Sequence, residues 1–138
     1  MTGRRERQVV VGQAVLRVEL TTDAITLLRF GAVTRNAHRI HYDAEFARSE
    51  GLAGAVVMAQ LHGCLFHRAA AEFAGVGGQV REVGWRNRAP ARVGDRLVVT
   101  GTVQAVDALS GAVTLDLVER CGAGEVVCCR GRAVVVPG

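Results

Sequence analysis

Hydrophobic and polar positions divide the chain into a first half with helical spacing and a second half with strand-like alternation. Residues 9–20 predict an extended segment, and residues 21–23, Thr-Thr-Asp, are a typical helix start. The apolar residues that follow keep helical spacing: Ile25, Leu27, Leu28 and Phe30. We expect this helix to end between residues 32 and 36, ahead of a polar loop over residues 36–43. Residues 44–50 predict a short helix that ends at Gly51.

Residues 52–73 are the most apolar part of the chain. Between residues 56 and 66 the only polar side chains are Gln60 and His62, which predicts a helix buried on nearly all sides, ended by three glycines at positions 75, 77 and 78. The longest apolar stretch, residues 52–61, contains Gln60. It is far shorter than the roughly 18 residues of a membrane span, so we expect none.

The remaining residues predict antiparallel strands joined by tight turns. Residues 79–88 form the first strand, and residues 97–106 alternate clearly, with one apolar face: Leu97, Val99, Val103 and Ala105. The next strand places three apolar residues inward: Val113, Leu115 and Leu117. The last strand places Arg130 and Arg132 outward and four residues inward: Val127, Cys129, Ala133 and Val135. The turns fall at residues 107–111 and 122–124.

Such a sheet must bury its apolar face against another element. The apolar helix of residues 56–73 is the only segment long enough to cover it. The sequence therefore predicts an α+β hotdog fold, an antiparallel sheet wrapped around one central helix.

Composition narrows the class of protein. The chain has 138 residues, 49% hydrophobic and 22% charged, which is typical of one globular domain over residues 1–138. The net charge is +4, and all 17 basic residues are arginines, spread along the chain. Aromatic residues are only 4%, so surfaces for base stacking are scarce and nucleic-acid binding is disfavoured.

Cysteine and histidine spacing gives no sign of a metal or cofactor site. The four cysteines lack a metal-type C-x-x-C spacing, and His62 and His67 are five residues apart, not the four that place two ligands on one helical face. We expect free thiols, no bound metal and no cofactor. With no secretory signal pattern, the expected location is the cytoplasm.

The segment that carries chemistry is FGAVTRNAHRIHYDAEFA, residues 30–47. Its polar side chains are dense between Asn36 and Asp43. His41 can remove a weakly acidic proton, because the ordinary pKa of an imidazole, about 6.5, lies close to the working pH of most enzymes.

This segment resembles the motif of the MaoC-like dehydratases and hydratases of acyl thioesters, in a variant similar to mitochondrial-type 3-hydroxyacyl-thioester dehydratases and mesaconyl-CoA hydratase-like proteins. The motif reads Asp, Asn-Pro, His, Asp and Ala, and its positions fall here on Asn36, His38, Arg39, His41, Asp43 and Ala47. Residues 92–97 resemble a second family segment, P-V-x-x-G-D-x-L. The chain differs from the family pattern at two places. Asn36 has an amide where the family has its first carboxylate, and Met58-Ala59 stands where the family has His-Gly before the central helix.

The resemblance implies dehydration of 3-hydroxyacyl thioesters, or hydration of enoyl thioesters, on CoA or acyl carrier protein in fatty-acid or polyketide metabolism. It implies His41 as acid and base and Ala59 as the backbone N–H donor to the thioester carbonyl. An amide cannot act as a base, so we expect His41 to return the proton to the hydroxyl while Asn36 holds that hydroxyl or a water. We expect the substrate contacts to come from Arg39, Tyr42, Met58, Gln60, Trp85 and Arg86.

Other interpretations stay open. The chain carries one hotdog module, and members of the family often pair two, so we expect a homodimer or a heterodimer with another hotdog subunit. A non-catalytic or weakly active subunit that completes its partner's acyl tunnel is the main alternative, and a hotdog thioesterase or an enoyl isomerase is a further one. Single residues also have structural alternatives: Asn36 and Asp43 as caps, Arg39 in a surface ion pair, and His62 in the core. Arg86, Arg88 and Arg92 are candidates for the phosphates of CoA or a carrier arm.

Overall fold

The computed structural model of the protein describes residues 8–138. Its strands and helices, in chain order, are β1 (Ala14–Thr21), α1 (Ala24–Thr34), α2 (Ala44–Ser49), α3 (Ala59–Ala74), β2 (Gln79–Asn87), β3 (Arg96–Val106), β4 (Val113–Cys121) and β5 (Val126–Val136). A 3₁₀ turn, Arg39–His41, interrupts the loop between α1 and α2. The predicted order of helices and strands is therefore confirmed.

Both short helices begin where the sequence signals indicate. Asp23 caps α1 by accepting the backbone N–H of Thr26 over 2.6 Å. Asp43 caps α2 by accepting the backbone N–H of Phe46 over 2.9 Å. In each case a carboxylate satisfies one of the N–H groups that a helix leaves free at its first turn.

The five strands form one sheet in the order β1-β3-β4-β5-β2, and every pair is antiparallel. The alternation predicted for the last strand is confirmed in its second half, with Ala133 and Val135 buried and Arg130 and Arg132 exposed. In its first half Cys128 and Cys129 are both buried and Val127 is partly exposed, because a bulge in the pairing of β4 with β5 lies there. Ala105 was predicted inward but is exposed. A bulge in the pairing of β3 with β4, between Val103 and Ala105, shifts the side-chain alternation by one residue at that point.

Helix α3 packs against the sheet, chiefly on β2, β5 and β1. Phe66 is fully buried, and Gly131 of β5 makes room for it, since a Cβ atom there would lie 2.8 Å from the Phe66 ring. This sheet wrapped on a central helix confirms the predicted α+β hotdog fold.

Two expectations for the central segment were wrong. The helix begins at Ala59, because the residues before it run extended and Val56 pairs with Arg92 in an antiparallel bridge. Nor is α3 buried on all sides, since Gln60, Cys64 and His67 are exposed. None of the helices within residues 8–138 is long and apolar enough to cross a membrane.

Candidate active site

The loop after α1 places two polar residues of the motif side by side. Arg35 ends α1 in a left-handed conformation, with φ of 55°, and turns the chain at Asn36. The 3₁₀ turn Arg39–His41 follows, and His38 caps it by accepting a backbone N–H on its Nδ1 over 3.3 Å. This path brings the side chains of Asn36 and His41 within hydrogen-bonding distance.

The imidazole of His41 is 8% exposed and is anchored to the backbone. Its Nδ1 lies 2.8 Å from the carbonyl oxygen of Val56, which can only accept, so Nδ1 carries the proton of the neutral ring. Val56 is held in turn, because its N–H donates to the carbonyl of Ile40 over 3.0 Å and it bridges to Arg92. The neutral ring therefore keeps Nε2 unprotonated and able to accept a proton.

Asn36 holds the other side of the imidazole. Its Oδ1 accepts the backbone N–H of His38 over 3.4 Å, which orients the amide. Its Nδ2 then donates to Nε2 of His41 over 3.3 Å. A neutral His41 satisfies both contacts, with one ring nitrogen donating to Val56 and the other accepting from Asn36. This is the protonation state that a general base needs before the reaction.

The N-terminus of α3 faces the same site. The side chain of its N-cap residue, Met58, makes no capping hydrogen bond, and the first N–H groups of a helix have no partner within the helix. Ala59 and Gln60 line one cleft with His41. Backbone N–H groups at a helix N-terminus, where the helix dipole is positive, can stabilise an oxygen that becomes negative.

Two cavities meet at the Asn36–His41 pair. A small cavity of about 220 Å³ is mostly apolar, and its lining includes Leu27, Leu28 and Met58. A larger open cleft of about 580 Å³ runs past Val57 and Ala59 to the end of β2. Asn36 and His41 line both cavities, so the imidazole is accessible from either one.

Residues 3–111 match the model of one protein family, described as hydroxyacyl-thioester dehydratase type 2. The chain belongs to this family. Its name describes enzymes that remove water from hydroxyacyl thioesters, and the match spans the whole segment from α1 to the turn after β3. No curated protein matches the chain significantly.

Solved structures share the fold. An (R)-hydratase from A. caviae involved in PHA biosynthesis is 22% identical and covers 96% of this chain and 99% of its own, with a TM-score of 0.87. One chain of the ChsH1-ChsH2 complex from Mycobacterium tuberculosis is 21% identical and covers 95% of this chain and 100% of its own, with a TM-score of 0.85. The R-hydratase PhaJ1 from Pseudomonas aeruginosa is 21% identical and covers 94% of this chain and 82% of its own, with a TM-score of 0.81. At these identities the likeness shows the hotdog fold alone.

In this member of the dehydratase family, the residues predicted to contact substrate divide into two groups. Met58 and Tyr42 line the small cavity, and Gln60 lines the cleft. Arg39, Trp85 and Arg86 line neither cavity.

Local contacts account for two of the residues outside the cavities. Arg39 pairs with Asp43 over 2.7 Å and stacks over the Phe46 ring at 4.4 Å. The ring of Trp85 packs against Gly63 of α3, where a Cβ atom would lie 2.4 Å from it. Of the three arginines considered for phosphate contacts, Arg88 alone lines the cleft.

A buried pair, His62 and Glu119, was not predicted. Nδ1 of His62 lies 2.5 Å from Oε2 of Glu119, and His62 also lines the cleft. The sequence held a signal for this pair. The inward face of β4, predicted through Leu117, continues two residues on to Glu119, so a charged residue stands where the alternation predicts an apolar one.

Two cysteines complete the surroundings of this pair. Within residues 8–138, one group has the donor types of a metal site: His62, Glu119, Cys128 and Cys129 offer ligand atoms within 4.8 Å of one another. A hydrogen bond with Cys129, burial and the neighbouring Glu119 raise the pKa of the Cys128 thiol well above its ordinary value. This disfavours the thiolate that a metal ion requires, and the absence of a bound metal stays a prediction.

Proposed function

We propose that this protein dehydrates 3-hydroxyacyl thioesters, and hydrates enoyl thioesters in the reverse direction. The observation that carries the proposal is the position of His41, whose unprotonated Nε2 can take a proton where two cavities meet. Membership of the dehydratase family supports the reaction class. The carrier of the acyl group is CoA or acyl carrier protein.

The first step is removal of the proton on Cα by Nε2 of His41. That lone pair accepts a long hydrogen bond of 3.3 Å from Asn36 in the absence of substrate. A substrate hydroxyl can accept the same amide N–H instead, which frees Nε2 for Cα and holds the hydroxyl beside the ring. Asn36 thus positions the leaving group, and in the minimal scheme His41 returns its proton to that group.

The thioester carbonyl becomes an enolate oxygen as the proton leaves. We assign its stabilisation to the backbone N–H groups of the first turn of α3, with Ala59 as the proposed donor. Donors fixed before the reaction stabilise this charge without reorganisation, and the helix dipole adds to their effect.

The two cavities suggest how the substrate lies. The small apolar cavity suits the acyl chain, because its lining offers Leu27, Leu28 and Met58. The open cleft suits the pantetheine arm, and Arg88 at its lining can contact a phosphate of CoA or of the carrier.

The test is turnover of a 3-hydroxyacyl thioester, followed by the absorbance of the conjugated enoyl product. We expect His41→Ala to reduce kcat/KM by about 10²–10⁴-fold, the range for a lost general acid–base group. His67→Ala is the matched control, since His67 is exposed on α3 and lines neither cavity. The proposal is contradicted if folded wild-type protein turns over neither CoA nor carrier thioesters, whether alone or with a co-encoded hotdog protein.

A second candidate function is that of a subunit that completes another chain's acyl tunnel. It is favoured by Asn36, which supplies an amide where the family motif has a carboxylate. Two of the similar solved structures, ChsH1-ChsH2 and HadBC, are described as complexes. Activity that appears only in a heterodimer, and that survives His41→Ala, would select this function. Activity of the chain as a monomer or homodimer, lost in His41→Ala, would exclude it.

A further inference from the structure

A buried histidine–glutamate pair lies between the first turn of α3 and strand β4. His62 and Glu119 are 3% and 0% exposed, and Nδ1 of His62 lies 2.5 Å from Oε2 of Glu119. The other carboxylate oxygen, Oε1, is buried and has no hydrogen-bond partner among residues 8–138. A carboxylate in a protein core is costly unless it is fully paired, so this pair is poorly explained by stability alone.

His62 connects the pair to the proposed active site. It lines the 580 Å³ cleft together with Asn36, His41 and Ala59. Since Nδ1 is engaged by Glu119, Nε2 is the ring nitrogen left for the cleft, and none of the hydrogen bonds found in residues 8–138 engages it. A histidine oriented by a buried carboxylate on one side and open to a substrate cavity on the other is arranged for proton transfer.

Such a group offers the proposed reaction an alternative to the return of the proton by His41. The leaving hydroxyl must gain a proton, and the amide of Asn36 can donate a hydrogen bond but cannot give up a proton. His41 is occupied with the proton from Cα. If a second group supplies the proton to oxygen, the two proton transfers need not wait for each other.

Resting on the proposed function, we propose that His62 is a second catalytic residue, which protonates the leaving β-hydroxyl, and that Glu119 is its positioning residue. The Cα–H bond breaks, its proton goes to Nε2 of His41, and its electron pair forms the new C=C bond. The Cβ–O bond breaks with its electrons on oxygen, which takes the Nε2 proton of His62 and leaves as water. His41 then releases its proton, and His62 regains one, through the open cleft.

Glu119 acts through the imidazole. Its Oε2 accepts the Nδ1–H of His62, which fixes the orientation of the ring and places the carboxylate charge against it. Because Glu119 is fully buried, it does not reach the substrate.

The test compares two substrates that differ only in their leaving group. A 3-hydroxyacyl thioester needs a proton on the departing oxygen, whereas a 3-chloroacyl thioester of the same chain length loses chloride without one. Both reactions give the same enoyl product and both need His41, so one absorbance assay follows both after subtraction of the uncatalysed rate. The measured quantity is the ratio of kcat/KM for the two substrates, which is independent of the fraction of folded enzyme.

We expect His62→Gln to reduce kcat/KM for the hydroxy substrate by about 10²–10⁴-fold and to leave the chloro substrate within about threefold of wild type. Equal losses on both substrates would overturn the proposal, because they show a structural role. No loss on either would overturn it in favour of the one-base scheme. His67→Gln, the same substitution at an exposed position of α3, is expected to leave both rates and their ratio unchanged.

Two further results keep this test separate from that of the proposed function. If the wild-type protein is inactive on both substrates, the proposed function itself is contradicted. If His62→Gln has the same ratio of kcat/KM for the two substrates as wild type, only the role of His62 is contradicted. Glu119→Gln keeps the size of the side chain and an oxygen for Nδ1 but removes the charge. We expect this variant to lower kcat/KM for the hydroxy substrate by about tenfold and to leave kcat/KM for the chloro substrate unchanged. It is the deciding variant if His62→Gln does not fold.

Discussion

Asn36 donates the N–H of its side-chain amide to Nε2 of His41 over 3.3 Å, on the side of the ring opposite the Val56 carbonyl. The imidazole is therefore held at both nitrogens, by a backbone oxygen on one side and by a replaceable amide on the other. The first contact sets which nitrogen is the base. The second is with a side chain that can turn its hydrogen bond towards a substrate.

Removal of this amide tests its positioning role. We expect Asn36→Ala to lower kcat/KM for a 3-hydroxyacyl thioester by about tenfold, because one hydrogen bond to the leaving group, worth about 1–1.5 kcal/mol, is lost. Steady-state kinetics measure the change, with Thr102→Ala on the exposed side of β3 as control. An unchanged kcat/KM would show that Asn36 shapes the loop and does not hold the substrate.

The packing of α3 on the sheet depends on a glycine. In Gly131→Ala the new Cβ atom would lie 2.8 Å from the ring of Phe66, which is fully buried. We expect the free energy of unfolding to fall by about 1–3 kcal/mol, measured by urea denaturation. Gly84→Ala on the neighbouring β2 is the matched control, because nothing lies within 4 Å of its Cβ position. Equal losses in the two variants would contradict the packing argument.

The cap of α2 makes stability depend on pH. The backbone N–H of Phe46, and then the side chain of Arg39, hold the pKa of the Asp43 carboxyl below its ordinary value of 3.8. A carboxyl with a lowered pKa in the folded state adds stability above its ordinary pKa, and this is lost as the pH falls through the lowered value.

We therefore expect Asp43→Asn, which keeps the capping oxygen but removes the charge, to be less stable than wild type near neutral pH. The difference should shrink as the pH falls below 3.8. Urea denaturation across this range measures it, with Asp116→Asn at an exposed position of β4 as control. If the difference in the free energy of unfolding between wild type and Asp43→Asn grows towards acid pH, the lowered pKa of Asp43 is contradicted.

The reactivity of the cysteine thiols tests whether the strands β4 and β5 are buried. Burial, with a smaller effect of the neighbouring Cys128, raises the pKa of the Cys121 thiol to about 12, and the pKa of Cys128 is raised further. Since only thiolates react rapidly, we expect iodoacetamide at mildly alkaline pH to modify the exposed Cys64 and to spare these two.

Mass spectrometry of peptides measures this labelling in folded protein, and denatured protein gives the reference in which all four cysteines react. Cys64→Ser is expected to remove most of the label from the folded protein. Rapid labelling of Cys121 or Cys128 in the native state would show that β4 and β5 open readily.

Local patterns determined much of this protein before any tertiary contact was known. Asp23 and Asp43 mark the starts of helices because each cap is built from residues within three positions of it. The burial of the second half of β5 follows from period-two alternation. The resemblance to the family motif placed Asn36 and His41 in one loop, and the structure brings their side chains to 3.3 Å.

Only the tertiary structure decided what depends on residues far apart in the chain. The helix α3 starts at Ala59 because Val56 is paired with Arg92, a contact that no local pattern encodes. The tautomer of His41 depends on the Val56 carbonyl, 15 residues away. His62 meets Glu119 across 57 residues, where the packing of a helix on a sheet sets the distance. Local propensity acts over one or two turns of chain, whereas these contacts arise from the way the elements pack together.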